Sequence, residues 1–434
     1  MTTAVVGAGL SGLVRAHALA ARGEDVLLFE ESSRPGGVVR SEERDGYLLE
    51  LGPNTVRPTP ELWSLVEALG LESEAMLADP RLPRFVDFGG RLHALPASPL
   101  ALVSSRLLST RGKLKILSEP FVPRSDPSRE TVREFFARRL GPEVAERLVE
   151  PFVAGIWAGR SDRLSLAEAF PLLARWESES GSLTRGALAS FRRLPKASRS
   201  GRRGLLSFRK GLATLPLRLA ESLGSRARFG VRVESVRRDA GGWKISIAGE
   251  DVAVDRLCLA TPAPEAARLV AGVDGDAAAA LSAIPHPPLV VLHLSVAATE
   301  RLHGFGHLVV PQPDRRILGA IWSSSIFAGR APAGRSLLTV FLGGARDPGA
   351  IDLADEELLE VASRDLAAAL EIPADFAVVR VTRYVRAIPQ YDREHRGRLE
   401  SLGRAESRLP GLSFLGSYRG GVSVGDVVRA ALAI

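Results

Sequence analysis

Apolar positions along this chain switch between the short run of a buried strand and the three-to-four-residue spacing of a helix. Ala4-Val5-Val6 is a strand-like run that stops at Gly7, and Leu13, Ala16, Leu19 and Ala20 then recur at helical spacing. Val26-Leu27-Leu28-Phe29 predicts a second strand, and residues 46–52 alternate enough for a third that ends at Gly52. Leu62, Leu65, Val66 and Leu69 predict a helix over 60–70 that Gly70 closes. Residues 95–180 read as mainly helical. Thr131 with Glu134 forms a capping box ahead of Phe135, Phe136 and Leu140, Gly141-Pro142 breaks that helix, and Val144, Leu148 and Val149 begin another. Residues 181–210 are basic and rich in serine and glycine, which reads as a surface loop. That loop is either a solvated face or a contact for an anionic membrane or substrate.

Strands and helices alternate again further on. A helix is predicted over 212–223, a strand over 228–236, a turn at Gly241-Gly242 into the alternating run 243–247, and a buried-type strand over 255–261 stopped by Pro262. Strands follow at 289–294, 307–310, 317–322, 337–342 and 378–385, with a helix over 356–370. Phe414-Leu415-Gly416 and Gly420-Gly421 lead into a final helix from about Gly425. The first domain's pattern resumes after a long interval, which predicts a discontinuous domain with insertions.

The chemistry concentrates at the first turn. Gly7, Gly9 and Gly12 form G-x-G-x-x-G between a strand and a helix, and Glu30 ends the next strand. Gly7 permits a tight turn, Gly9 lets the backbone approach a pyrophosphate, and Gly12 lets the helix pack close to the strand. The helix N-terminus presents free N–H groups and the positive end of its dipole. Glu30 lies about 20 residues on, where a carboxylate holds ribose hydroxyls. The alternative is a glycine-rich strand-to-helix turn without a ligand.

Composition narrows the remaining classes. The chain has 434 residues, enough for two or three domains. Its single cysteine, Cys258, sits in an apolar strand and excludes an internal disulfide framework. The seven histidines show no metal-ligand spacing, so no metal site is expected. Net charge is +7 and comes almost entirely from arginine, since lysine occurs only at 113, 115, 196, 210 and 244. Guanidinium forks suit carboxylates and phosphates. No nucleic-acid motif accompanies the charge, so no nucleic-acid partner is expected. No apolar run reaches about 20 residues. The N-terminus lacks a basic leader region, and cytoplasmic residence is the expectation.

Glu30-x-Ser32-x-Arg34-x-Gly36-Gly37, Glu50-x-Gly52, and Gly421-Val422-Ser423-Val424-Gly425-Asp426 resemble the flavin amine oxidase superfamily. Further runs resemble its oxygen-dependent protoporphyrinogen oxidases: Gly52-Pro53-Asn54, Leu92-His93-Ala94-Leu95-Pro96, Leu140-Gly141-Pro142-Glu143-Val144, Gly155-Ile156-Trp157-Ala158-Gly159, residues 304–311, Leu318-Gly319 and Ile388-Pro389-Gln390-Tyr391. The resemblance implies an α/β fold: a Rossmann-like FAD-binding domain (1–58, 205–262, 386–434), a mixed-sheet substrate domain (59–94, 263–385) and a helical, membrane-associating insertion (95–204). It implies FAD held by Gly7, Ala8, Gly9, Leu10, Ser11, Gly12, Glu30, Glu31, Arg34, Gly36, Gly37, Val38, Gly52, Pro53, Asn54, Thr55, Val233, Tyr384, Gly416, Val422, Ser423 and Val424. Tyr384 reads equally well as an ordinary strand aromatic. Arg91, His93, Gly155, Leu308, Leu318 and Phe327 are the implied substrate contacts.

The implied reaction is six-electron oxidation of a porphyrinogen with molecular oxygen as acceptor, releasing hydrogen peroxide. It requires no protein base, and no Ser/His/Asp or Cys/His arrangement is readable. Two departures stand out. His93 occupies the place of a propionate-binding arginine in plant-type members, and Ala97-Ser98-Pro99 the place of the arginine in animal-type ones. Gly425 stands where the family usually has asparagine. Coproporphyrinogen III as substrate and an inactive flavin-binding scaffold are the alternatives. An amine oxidase fits poorly, because no lysine follows Lys244. Residues 98–118 mix apolar and basic side chains and suggest peripheral contact with the inner face of the cell membrane, or a helix packed on its own domain. Oligomeric state is not legible.

Overall fold

A computed structural model describes residues 1–96, 101, 104–193, 204–239, 241–373 and 375–433. Its centre is a parallel sheet of β1 (Thr2–Val6), β2 (Asp25–Glu30), β3 (Ala227–Phe229), β4 (Arg256–Leu259) and β5 (Leu412–Phe414), in the order β5-β4-β1-β2-β3. The strand order reverses at β1, which opens a ligand crevice beyond the carboxyl ends of the strands. On one face pack α1 (Leu10–Ala21), helix Thr214–Leu223 and α2 (Val424–Leu432), through Val5, Leu13, Leu219 and Val428. On the other face Ala4, Val6, Leu257 and Leu259 meet Trp243 and Ile245 of a three-stranded antiparallel layer, together with two helices, Ala263–Val270 and Gly275–Ser282. Cys258 is buried here. The packing does not follow the expected divisions at 58 and 262. Leu62 and Val66 of helix Pro60–Ala68 belong to the first of these cores, and residues 263–284 extend the second.

The second sheet has seven strands, in the order Ala377–Tyr384, Leu289–Ala297, Arg335–Gly343, Ile317–Ile321, Gly306–Val309, Arg84–Phe88, Arg91–Ala94. One pair, Gly306–Val309 with Arg84–Phe88, is parallel and the rest are antiparallel. Val290, Leu292, Val340 and Leu342 pack one face against Leu358, Ala362 and Leu366 of helix Asp355–Leu370. By strand register the opposite face carries Tyr384, Phe341, Gly319, Leu308, Val86 and His93.

Between residues 110 and 193 the chain is helical. Arg139, fully buried, pairs with Glu119 at 3.2 Å and with Glu177. Glu119 in turn accepts hydrogen bonds from Ser182 (2.7 Å) and from the Leu183 (2.8 Å) and Thr184 backbones, which caps helix Leu183–Arg193. Burial opposes ionisation of Glu119, but these donors outweigh it and hold its carboxyl below the usual value of 4.5. Its folded-state value is depressed, so its contribution is complete above the unfolded value and is lost as pH falls through the folded one.

The capping box exists as read: Thr131 Oγ1 accepts from Glu134 N–H, and Glu134 accepts from Thr131 N–H at 2.7 Å. Thr131→Ala is expected to lower stability by about 1 kcal/mol, measured as a shift in the denaturant midpoint at unchanged slope.

Two expected elements differ. The stretch 181–210 is not one loop: helix Leu183–Arg193 and strand Leu206–Phe208 occupy its described parts. Arg185 and Arg192 are exposed on this helix, whose basic, serine- and glycine-rich composition alone reads as loop. Residues 194–203 lie outside the described residues. The single strand over 228–236 is two, because Gly230 turns the chain at φ +69°.

Candidate active site

The glycine loop is built as its spacing requires. Gly7 has φ +102°, and its N–H donates to Phe29 O at 2.8 Å. A Cβ on Gly12 would overlap the Gly7 carbonyl oxygen, so α1 touches the end of β1. Around Gly9, by contrast, a Cβ would meet nothing within 4 Å. No side chain caps α1, and no acidic residue lies in its first turn, which includes Leu10 and Ser11. A cradle with open space above Gly9 and an uncapped positive helix end fits an anionic diphosphate.

Glu30 closes the cradle's side. One carboxylate oxygen accepts from Ala8 N–H at 2.6 Å, and the other from Ser32 N–H and Oγ at 2.9 Å. Gly230 N–H bonds Ser32 O, Val231 N–H bonds Glu30 O, and exposed Glu31 pairs with Arg232 at 3.6 Å. Glu30, Glu31 and Val233 are therefore brought together at one end. The Val233 carbonyl itself accepts from Arg268.

The second glycine pair crosses the first loop. Gly36 N–H donates to Ala8 O at 2.8 Å, and Gly36 bridges Gly9. Arg34 is partly buried, and burial lowers its pKa. Gly52 presses on the Val38 carbonyl, leaving the Val38 side chain exposed. Past Pro53, Asn54 donates to Gly52 O at 3.2 Å, and its own Oδ1 is buried without a partner. An orphaned acceptor beside the cradle is a second feature that fits a bound cofactor. A cavity of about 10 Å³ lies between Asn54, Thr55, Ile321, Phe327 and Arg330, room for one water molecule.

Tyr384 reaches across from the second sheet, its hydroxyl donating to Leu51 O at 2.9 Å. Burial raises its pKa, keeping it protonated. At the C-terminal loop, Gly416 lies against the Tyr418 ring. Val422 packs near Tyr391, and Ser423 caps α2 by accepting from Asp426 N–H at 3.2 Å. Gly425 approaches Thr59 so closely that a Cβ would stand 2.8 Å from Cγ2. The departure from asparagine thus matches a close helix contact.

The implied substrate contacts divide. A Cβ on Gly155 would overlap Leu308, Leu308 stands over Gly319, and Leu318 clusters with Tyr384. His93 and Arg91 share the same sheet face, Arg91 exposed. Phe327 lies apart, clustered with Ala78 and Ile326.

Sequence reasoning missed Arg330. Its guanidinium, 2% exposed, pairs with Glu50 (5% exposed) at 3.3 Å, donates to Ser207 Oγ at 2.6 Å, and lies 5.4 Å from the Phe327 ring centre. Burial raises the Glu50 pKa, countered by Arg330, Ser41 and Leu212 N–H. A carboxylate inside the apolar run 47–51 signals a buried cation, although spacing does not say which arginine supplies it.

The profile of the family described as flavin containing amine oxidoreductase matches residues 10–433. Chloroplastic protoporphyrinogen oxidase of Oryza sativa subsp. japonica is 34% identical over 98% of this chain and 86% of its own length. Protoporphyrinogen oxidase of Bos taurus is 33% identical over 99% of this chain and 96% of its own. A crystal structure of a protein from Exiguobacterium sp. 255-15 shares the fold, with TM-score 0.81, 23% identity, and coverage of 99% of this chain and 97% of that one.

Proposed function

Because the chain belongs to the flavin containing amine oxidoreductase family, with FAD as cofactor, we propose that it oxidises protoporphyrinogen IX to protoporphyrin IX with molecular oxygen, in haem and porphyrin biosynthesis. The observation that carries this is identity of a third with protoporphyrinogen oxidases over nearly the whole chain. FAD, when bound, would supply the two-electron acceptor for each oxidation, with molecular oxygen as the final acceptor and hydrogen peroxide as its product.

The chain's own residues bind and orient. Gly7–Gly12 receive the diphosphate, Glu30 the ribose, and Glu31 with Val233 the adenine end. Arg34, Gly36, Gly37, Val38, Gly52–Thr55, Tyr384, Gly416 and Val422–Val424 line the way to the flavin. Gly155, Leu308 and Leu318 offer apolar walls to a macrocycle, with Arg91 and His93 for its carboxylates. No protein base is assigned, because the cofactor carries the redox chemistry.

Purified, FAD-loaded protein is expected to release peroxide with protoporphyrinogen IX. Faster release with coproporphyrinogen III moves the substrate to the propionate-richer ring. No peroxide with either ring contradicts the reading.

The protein is read as cytoplasmic with peripheral contact to anionic membrane. No described helix is long and apolar enough to cross a bilayer. Within the stretch 98–118, Leu107 and Leu108 are buried, and Leu100, Leu102 and Val103 lie outside the described residues. Leu114, Leu117 and Phe121 are exposed beside Arg111, Lys113 and Lys115, which supports the contact through helix Thr110–Leu117. Leu117→Asp with Phe121→Asp is expected to cut co-sedimentation with anionic liposomes roughly tenfold. Wild-type protein that does not sediment at low salt overturns the contact.

A further inference from the structure

Residues 416–424, which we read as the flavin-facing loop, are bridged at two points by one hydroxyl from outside the loop, beside the Arg419–Glu406 ion pair. Tyr391 Oη donates to Ser417 O at 2.6 Å and accepts from Gly421 N–H at 3.1 Å. Gly420 and Gly421 have φ +89° and +121°, so the intervening backbone is of a kind with high intrinsic freedom. A single group that bonds the chain before Gly420 and again at the Gly421 N–H removes much of the freedom at Gly420. We propose that Tyr391 is a positioning residue for FAD: its hydroxyl fixes the loop that meets the flavin and ties it to the helical region.

The tie is physical. The Tyr391 ring is 2% exposed, stacks on His395 at 4.0 Å and 10°, and meets Trp157 edge-on at 4.9 Å and 68°. Trp157 ends helix Glu150–Trp157, which also carries Gly155. The backbone is anchored on both sides: Ser165 N–H donates to Tyr391 O at 2.8 Å, and Gln390 Nε2 donates to Trp157 O at 2.7 Å. Val422 packs in the same apolar cluster. Burial pushes the phenol upward in pKa, which keeps the donor to Ser417 in place at working pH. A displacement of Trp157 therefore reaches the flavin loop through one rigid side chain.

The inference rests on the FAD reading, and its test separates the two. Tyr391→Phe keeps the ring and removes only the hydroxyl. In apoprotein, amide exchange over 416–425 is expected to accelerate while the parallel-sheet core is unchanged. The FAD dissociation constant rises roughly tenfold, and the visible band of bound flavin shifts. Trp157→Phe, which keeps the hydroxyl but loosens the ring, moves affinity in the same direction by a smaller factor. Wild-type protein that fails to bind FAD overturns both readings. Wild-type protein that binds FAD, with Tyr391→Phe equal to it in loop exchange, affinity and spectrum, overturns only this one, whatever happens to the melting temperature.

Discussion

Gly9→Val is expected to give a folded protein that no longer retains FAD. The position separates ligand space from fold space. Gly9 has φ −63° and ψ 171°, an extended geometry valine adopts, and a Cβ there would meet no atom of the protein within 4 Å. Losing glycine at the helix N-cap costs up to about 1 kcal/mol. The valine side chain would fill the space through which a diphosphate must approach the amides of α1. The expected loss of FAD affinity is more than about a hundredfold, or roughly 2.7 kcal/mol, read by FAD titration and by flavin carried through gel filtration. Gly12→Ala makes the contrast: its methyl group would strike the Gly7 carbonyl, so it harms the fold itself. If Gly9→Val binds FAD as wild type does, the diphosphate lies elsewhere.

Arg330→Met is expected to be the most destabilising single change to this region. It leaves the Glu50 carboxylate buried with Ser41, Ser207 and Leu212 N–H as donors but without its cation. Removing one partner of a buried pair typically costs about 3–5 kcal/mol. The pH dependence has a definite sign. Glu50 already has a raised pKa in the folded state, and without Arg330 it rises further. The folded state then holds the proton more tightly than the unfolded chain, so the variant gains stability as pH falls through the folded value and levels off below the unfolded one. Adding Glu50→Gln recovers part of the loss, because no buried charge remains. Urea denaturation of the apoproteins at two pH values measures each effect. With the Glu50→Gln single variant measured as well, losses that simply add in the double variant would show that the pair does not interact.

These two sites also mark what the sequence made legible. The G-x-G-x-x-G turn was readable because its chemistry is local: tight turn, close approach and carboxylate fall within 30 residues, and the structure joins Gly7, Gly9, Gly36 and Glu30 accordingly. Five of the seven strands of the second sheet were readable from their apolar runs, and helix Asp355–Leu370 from its spacing. Arg330 and the Tyr391 hydroxyl were not, because no period encodes a tertiary contact. Glu50 and Arg330 are separated by most of the chain, as are Leu51 and Tyr384. Short strands such as Ser41–Arg44 and Arg91–Ala94 escaped notice because they are polar and only half-buried. Helix Leu183–Arg193 looked like loop because the stretch that contains it is basic and rich in serine and glycine.

The central claim is that the turn after β1 binds a flavin which takes electrons from a porphyrinogen held against the second sheet. Anaerobic mixing of the FAD-loaded protein with protoporphyrinogen IX tests it most directly, followed by visible absorption. The account predicts that the yellow flavin band bleaches as porphyrin absorption appears, and that the band returns when oxygen is admitted. A band that stays yellow with both protoporphyrinogen IX and coproporphyrinogen III would contradict it.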